Sequence, residues 1–150
     1  MRTIKFVFGI ILLGYFGTAT FSQFSGQDSR DKVLEEFTGM TAGWQHADNS
    51  NDTTKPLPYY SEDARYISSH MRGLELAGRD NALANFQNGI NMGGQIDSFE
   101  ILQMNDSEDL ATLLCKYQVT IGRTTVIGKN LMVPKKSGSV WRNIMHMTVI

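Results

Sequence analysis

Two histidines and two tyrosines are the residues of this chain best suited to proton transfer on an organic molecule. His70 follows a predicted strand and His146 lies in the middle of the last one, while Tyr60 lies in a predicted helical turn and Tyr117 within another predicted strand. An imidazole can give or take a proton near pH 7, and a phenol hydroxyl can orient or polarise a ligand oxygen. We therefore take His146 and His70 as candidate catalytic residues.

Aromatic side chains supply the candidate ligand-binding surface. Such residues can line a cavity with apolar area, and the two tyrosines add hydroxyl groups, but aromatics at helix or strand spacing also form cores. A histidine at a strand end can simply be exposed, and one in mid-strand can be hydrogen-bonded in a core or a dimer interface. These alternatives stay open. The candidate ligand-binding residues are Tyr60, Tyr117, Trp44 and Phe86.

Other site chemistries lack their residues. Histidines 46, 70 and 146 and the single Cys115 show none of the close spacings of zinc sites. The Gly93-Gly94 pair follows a predicted helix, whereas a phosphate-binding loop opens one. We expect neither a metal nor another cofactor. Cys115 has no partner for an intrachain disulfide and is predicted to be a small buried residue of a strand.

The composition indicates one soluble globular domain. The 150 residues are 41% hydrophobic and 19% charged. The 14 basic and 15 acidic residues are scattered and give a formal net charge of −1. Because no basic stripe is available to neutralise phosphates, nucleic acid is not an expected partner.

The N-terminal segment has the order of a secretory signal. Arg2 and Lys5 precede an apolar run from Phe6 to Phe16, and small residues follow. The alternative is a membrane anchor, but spanning a bilayer takes about 20 apolar residues, more than this run contains. We predict a signal peptide over residues 1–22, with cleavage after Ser22 or alternatively after Ala19. The mature protein is then secreted or periplasmic, without a membrane anchor.

The remaining sequence predicts a polar linker over residues 23–29 and one domain over residues 30–150. A first helix is indicated from Arg30 to Ala47 with Ser29 as its cap, and it places four apolar residues on one face: Val33, Phe37, Met40 and Trp44. We expect this face to bury Trp44 against a sheet. A second helix begins at Arg79, carries Leu83, Phe86 and Ile90 on one face, and stops at Gly93-Gly94.

The extended segments predict a curved antiparallel sheet. A helical turn over Leu57–Tyr60 precedes a strand, residues 72–78 read as a connection, and four later strands are separated by turn residues. This order is α+β, with helices covering one face of the sheet and enclosing a pocket. Strict alternation in the last strand sets Asn143, Met145 and Met147 on one face and Ile144, His146 and Thr148 on the other, and periodicity leaves open which face is inside. The predicted strands are 64–69, 96–104, 110–121, 124–133 and 140–150.

Three strings resemble the SnoaL-like and ketosteroid-isomerase-like families of the nuclear-transport-factor-2-like superfamily: Tyr59–Ser69, Gly78–Phe86 and Gly128–Ile150. They are similar to the family's acidic element before its first long strand, its glycine-arginine entry to the second helix and its closing hairpin. The resemblance covers about residues 30–150 and implies a cone-shaped α+β fold with a cavity. It also implies that polar residues of the last strand, here including His146, face that cavity.

The resemblance does not extend to the base of the ketosteroid isomerases. Ser68 stands at about the position of their base aspartate, and a serine has no basicity near neutral pH without a neighbour that takes its proton. We therefore expect an exported protein that binds a small, largely apolar molecule, as a monomer or homodimer. The alternative is a cofactor-free isomerase, dehydratase, cyclase or hydrolase using histidine and tyrosine, and a third possibility is an interaction protein with a filled cavity. Tyr117 is the predicted hydrogen-bond partner of His146.

Overall fold

The computed structural model describes residues 19–69 and 75–150. Residues 1–18 of the predicted signal peptide and the candidate residue His70 lie outside the described residues. Residues 34–150 form one compact unit, and the fold given below is that of this unit. Neither of the two described α-helices is long and apolar enough to cross a membrane.

The first helix, α1, spans Ala19–Asp48 and is longer than predicted. Residues 23–29, predicted as a linker, lie within it, and Ser29 is an internal residue of the helix and not its cap. The prediction treated a polar stretch as a linker, but polarity alone does not end a helix, and no proline interrupts this segment. The helix ends one residue after the predicted position.

The second helix, α2, spans Arg79–Asn91 and confirms the prediction. Beyond it, Gly93 adopts a left-handed conformation with φ of 70° and donates its N–H to the Ile90 carbonyl at 2.8 Å. A glycine takes this conformation at little cost and so closes the last turn.

Six strands form one mixed sheet in the order β2-β1-β6-β5-β4-β3. The four predicted later strands are confirmed as an antiparallel meander. The predicted antiparallel sheet needs one correction, because β1 pairs with β6 in parallel; the two are far apart in sequence, and parallel neighbours need such a long crossover. The bounds are β1 Tyr60–Ser68, β2 Glu75–Ala77, β3 Gly94–Asp106, β4 Ala111–Ile121, β5 Thr124–Ser137 and β6 Val140–Val149.

Two connections also differ from the sequence-based expectation or refine it. The predicted helical turn is confirmed as a single 3₁₀ turn over Leu57–Tyr59. The predicted connection over residues 72–78 contains β2, which pairs antiparallel with β1 at the edge of the sheet. A strand this short depends on its neighbour for backbone hydrogen bonds, so its sequence carries little periodicity to predict it from.

The C-terminal end of α1 is fixed to the start of β3 by side-chain amides. The Asn49 side chain accepts a hydrogen bond from the Ile96 N–H at 2.8 Å and donates one to the Ile96 carbonyl at 2.9 Å. The Gln45 amide donates to the same carbonyl at 2.8 Å. These bonds hold the last turn of α1, and with it Trp44 and Asp48, against the sheet.

Strand β6 contains an irregularity that changes which side chains are buried. Asn143 pairs with Pro134 and Met145 pairs with Val133, so Ile144 has no partner in β5. Asn143 is buried, and after the extra residue burial resumes at His146 and Thr148. An extra residue in one strand resets the alternation of side chains. The predicted strict alternation, which set Asn143 on the face opposite to His146, is therefore wrong.

The core lies between α1, α2 and one face of the sheet. Trp44 is 4% exposed, as predicted, and Phe37 is fully buried against Trp141 with ring centroids 4.8 Å apart. Met40 is half-buried on the same helix. A cluster of buried residues surrounds Trp44 and consists of Tyr60, Ala64, Tyr66, Ala82, Phe86 and Ile96.

Candidate functional site

A cavity of about 640 Å³ lies between the end of α1, helix α2 and the strands. Its size is within the range of small-molecule sites, about 300–1,000 Å³. Most of its wall is apolar. The apolar lining includes Trp44, Phe86, Phe99, Tyr117, Val119 and Ile121.

His146 borders this cavity and is 1% exposed. Its Nδ1 lies 2.6 Å from the Tyr60 hydroxyl oxygen, and the two rings are nearly parallel, at 12°. Trp44 and Tyr66 meet the imidazole edge-on, with centroid distances of 5.5 and 5.1 Å. Three aromatic rings thus fix the imidazole plane.

The predicted partner of His146, Tyr117, is wrong because of the strand order. Strand β5 separates β4, which carries Tyr117, from β6. Strand β1 lies directly beside β6, and Tyr60 at its start reaches the histidine. Tyr60 itself is 1% exposed and is not among the residues that line the cavity, so it lies behind the wall that His146 forms.

Burial decides the protonation of this pair. Desolvation lowers the pKa of His146 from its ordinary value of 6.5 to about 3, and it raises the pKa of the Tyr60 phenol well above 10. Both side chains are neutral at pH 7. His146 is therefore a hydrogen-bonding group at this pH, which differs from the predicted acid or base that titrates near neutrality.

Asp48 is the ionisable residue of the cavity that sequence reasoning missed. It is the last residue of α1, lies one turn after Trp44 and lines the cavity. Burial raises its pKa from 3.8 to about 6, and its buried Oδ1 has no hydrogen-bond partner among the described residues. The sequence held the signal, since Met40, Trp44 and Asp48 continue one face at four-residue spacing.

Further polar groups face the same space. Asn130 lines the cavity from β5, is 3% exposed, and has a buried Oδ1 without a partner among the described residues. Thr148 lines it from β6, and its hydroxyl lies 3.0 Å from that of Tyr66. No lysine or arginine is among the described residues of the lining. Among the described lining residues, a negatively charged ligand would therefore find no lysine or arginine to pair with.

Tyr117 reaches the cavity because the neighbouring strand has no side chain opposite it. Gly128 is its cross-strand partner, and a Cβ there would overlap the tyrosine ring and hydroxyl and the backbone carbonyl of Val149. Tyr117 is 6% exposed, and burial raises the pKa of its phenol. The glycine thus leaves room for the phenol in the wall.

The structure brings together four of the six predicted site residues. Trp44, Phe86, Tyr117 and His146 line the cavity, Tyr60 lies behind His146, and His70 is outside the described residues. Ser68 is buried in β1 and is not part of the lining. Cys115 is buried in β4, as predicted, and desolvation raises its pKa to about 12, which favours the protonated thiol at neutral pH.

Residues 34–150 have the nuclear-transport-factor-2-like (NTF2-like) fold, also described as cystatin-like. An NTF2-like protein of unknown function from Shewanella oneidensis has a TM-score of 0.67 and 18% identity, over 77% of this chain and 98% of its own. An NTF2-like protein with a cystatin-like fold from Novosphingobium aromaticivorans has a TM-score of 0.64 and 15% identity, over 88% and 90%.

A ketosteroid isomerase-like protein from Erwinia carotovora atroseptica has the same fold, with a TM-score of 0.59 and 16% identity over 74% of this chain and 90% of its own. No protein-family model matches the sequence, and no curated protein matches it. Identities this low carry the fold and leave the function to the residues of the site.

Proposed function

We propose that this chain is an exported protein that binds a small, largely apolar molecule in the cavity. The cavity itself carries the proposal, because about 640 Å³ of space bordered by aromatic and aliphatic side chains accommodates such a ligand. Export is proposed from the signal-like residues 1–22. The alternatives of a monomer and a homodimer, both left open by the sequence, stay predictions.

The polar groups of the wall support a ligand with few polar atoms. His146 and Asn130 are almost fully buried, and each has a polar atom without a partner among the described residues, which is unfavourable unless a ligand or water pairs with it. They are few among many apolar residues, so they can fix the orientation of a ligand whose remaining surface is hydrophobic. The space of about 640 Å³ beside Trp44 and Phe86 supports a binding protein over the interaction-protein alternative, whose mark would be a filled cavity.

Binding can be tested with N-phenyl-1-naphthylamine, a neutral apolar dye that fluoresces when it leaves water. Wild-type protein is expected to bind it. Val119→Trp places a large ring in the cavity from β4 and should weaken binding by about tenfold, which corresponds to about 1.4 kcal/mol of lost contact. Leu102→Trp adds the same ring at an exposed position of β3 and is the matched control. Equal affinities of the two variants would contradict binding in this cavity.

Native mass spectrometry of protein purified from its host tests both parts of the proposal. The mass of the complex shows whether a small molecule co-purifies, and the mass of the chain shows whether about 22 residues have been removed, as expected for a signal peptide. Full-length chain recovered without any bound molecule contradicts the proposal.

Asp48 favours a second candidate function, a cofactor-free enzyme that moves a proton. A carboxyl with a pKa of about 6 in an apolar cavity can act as a base near neutral pH, and the imidazole of His146 borders the same space. Acetophenone in D₂O provides the test. Exchange of its methyl protons should be faster with wild-type protein than with Asp48→Asn or without protein, and equal rates exclude this function for that substrate.

A further inference from the structure

We propose that Tyr60 is a positioning residue that fixes His146 in the tautomer with its proton on Nε2, so that the cavity recognises uncharged ligands carrying a hydrogen-bond acceptor oxygen, such as a carbonyl. The proposal deepens the binding function given above and rests on it for the ligand. It rests on the geometry of the Tyr60–His146 pair for the tautomer.

The short contact of 2.6 Å between the Tyr60 hydroxyl and His146 Nδ1 contains one proton, on either the oxygen or the nitrogen. A neutral imidazole has one ring nitrogen that donates and one that accepts. The lone pair of the accepting nitrogen is much more basic than a phenol oxygen, and the phenol O–H is the more acidic of the two donors. The favoured arrangement is therefore donation from Tyr60 to Nδ1.

Burial of the phenol strengthens this assignment. Tyr60 is 1% exposed, so its O–H needs an acceptor within the protein. Among the hydrogen bonds of the described residues, His146 Nδ1 is the acceptor available to it. The neighbouring Trp44 carries an indole N–H that can only donate, so it cannot accept a hydrogen bond from the phenol. If Nδ1 carried the proton, the buried phenol would lose this acceptor.

The other ring nitrogen then becomes the donor of a residue that borders the cavity. With Nδ1 accepting, the neutral ring carries its proton on Nε2, which points in nearly the opposite direction in the imidazole plane. Nε2 is buried and has no partner among the described residues, and the ring borders the cavity. An unpaired buried donor is unfavourable. An acceptor oxygen on the ligand can form a hydrogen bond with this donor, and an apolar group cannot.

The tautomer can be read directly by ¹⁵N NMR of protein labelled at histidine, without any ligand. Protonated and unprotonated ring nitrogens have well-separated chemical shifts, and His146→Gln identifies the resonances of this residue. We expect Nε2 to be of the protonated type and Nδ1 of the unprotonated type near pH 7. Tyr60→Phe should move the Nδ1 resonance, and Tyr59→Phe, which removes the neighbouring hydroxyl outside the cavity lining, should not. Protonation of Nδ1 in the wild type overturns the proposal.

The ligand class can be tested with acetophenone and α-methylstyrene, which have nearly the same shape but carry C=O and C=CH₂, respectively. Acetophenone should shift the Nε2–H resonance of His146 and α-methylstyrene should not. In Tyr60→Phe, the dissociation constant of acetophenone divided by that of α-methylstyrene should rise by about threefold to tenfold. This is the range expected for the loss of one neutral hydrogen bond. Tyr59→Phe should leave this ratio as in the wild type.

The outcomes separate the two proposals. A general loss of structure in Tyr60→Phe lowers both affinities together and leaves their ratio unchanged, and an unchanged ratio overturns the positioning role. Binding of both probes without a shift of Nε2–H overturns the acceptor preference and leaves the binding function intact. Failure of both probes to bind contradicts the binding function and the ligand preference, while the tautomer is still decided by the ¹⁵N shifts.

Discussion

Replacing Trp44 with alanine is expected to lower the free energy of unfolding by about 3–5 kcal/mol, the range for removing a large buried aromatic side chain. Trp44 is 4% exposed and contacts the rings of Phe86, Phe99 and His146 at centroid distances of 6.3, 5.3 and 5.5 Å. It joins the end of α1 to α2 and the sheet, and alanine replaces none of these contacts. Urea unfolding monitored by circular dichroism measures the change.

Two further variants make this result specific. Trp44→Phe keeps an aromatic ring at the same place and should retain part of the lost stability, because shape-conserving changes in a core are better tolerated. Val140→Ala lies at a position that is 44% exposed and should change the free energy of unfolding by less than about 0.5 kcal/mol. Wild-type stability of Trp44→Ala would show that the helix face from Phe37 to Trp44 does not pack as described.

The secondary structure could be predicted because its signals are local. The four-residue and three-residue spacing through Phe37 and Trp44, the glycine after α2 and the turn residues between the last strands each act over a few positions. The start of α1 was missed for the same reason, since residues 19–29 carry no apolar period to distinguish a polar helix from a linker. Local patterns thus give element types better than their ends.

The site depends on contacts that no local pattern contains. The pairing of β1 with β6 brings Tyr60 to His146 across 86 positions of the chain, and alternation within β6 cannot show it. The extra residue at Ile144 shifts the buried positions, although the sequence around it contains no glycine or proline. The position of His146 in the wall was predictable, whereas its partner and its neutral state follow from the assembled sheet.

Asp48 shows how one residue past a predicted boundary can matter. The predicted helix ended at Ala47, because the run of polar residues after it is typical of a loop. The structure extends α1 by this one residue, and the carboxyl then falls on the same face as Trp44. Its raised pKa comes from the walls around it, which other elements supply.

Asp48 and His146 are expected to affect the pH dependence of stability in opposite directions. The pKa of Asp48 is raised on folding from 3.8 to about 6, so its contribution to stability is fully present below the unfolded value and is lost as the pH rises through about 6. The pKa of His146 is lowered from 6.5 to about 3, so its contribution is present above 6.5 and is lost as the pH falls toward 3. Each unit of pKa shift corresponds to about 1.4 kcal/mol.

Between about pH 4 and pH 6 the changes of these two contributions with pH nearly cancel in the wild type. Each single variant should therefore reveal the pH dependence of the group that it keeps. As the pH rises through this interval, Asp48→Asn should gain about 3 kcal/mol of stability relative to wild type, because only the effect of His146 remains. Over the same rise His146→Gln should lose a similar amount, because only the effect of Asp48 remains. The double variant removes both groups, and its stability should depend on pH as that of the wild type does. In both proteins the remaining pH dependence then comes from the other carboxyl groups. Urea unfolding of the four proteins at each pH gives the comparison. If the free energies of unfolding of the single variants, plotted against pH, run parallel to that of the wild type, folding does not shift the pKa of either side chain as its burial requires.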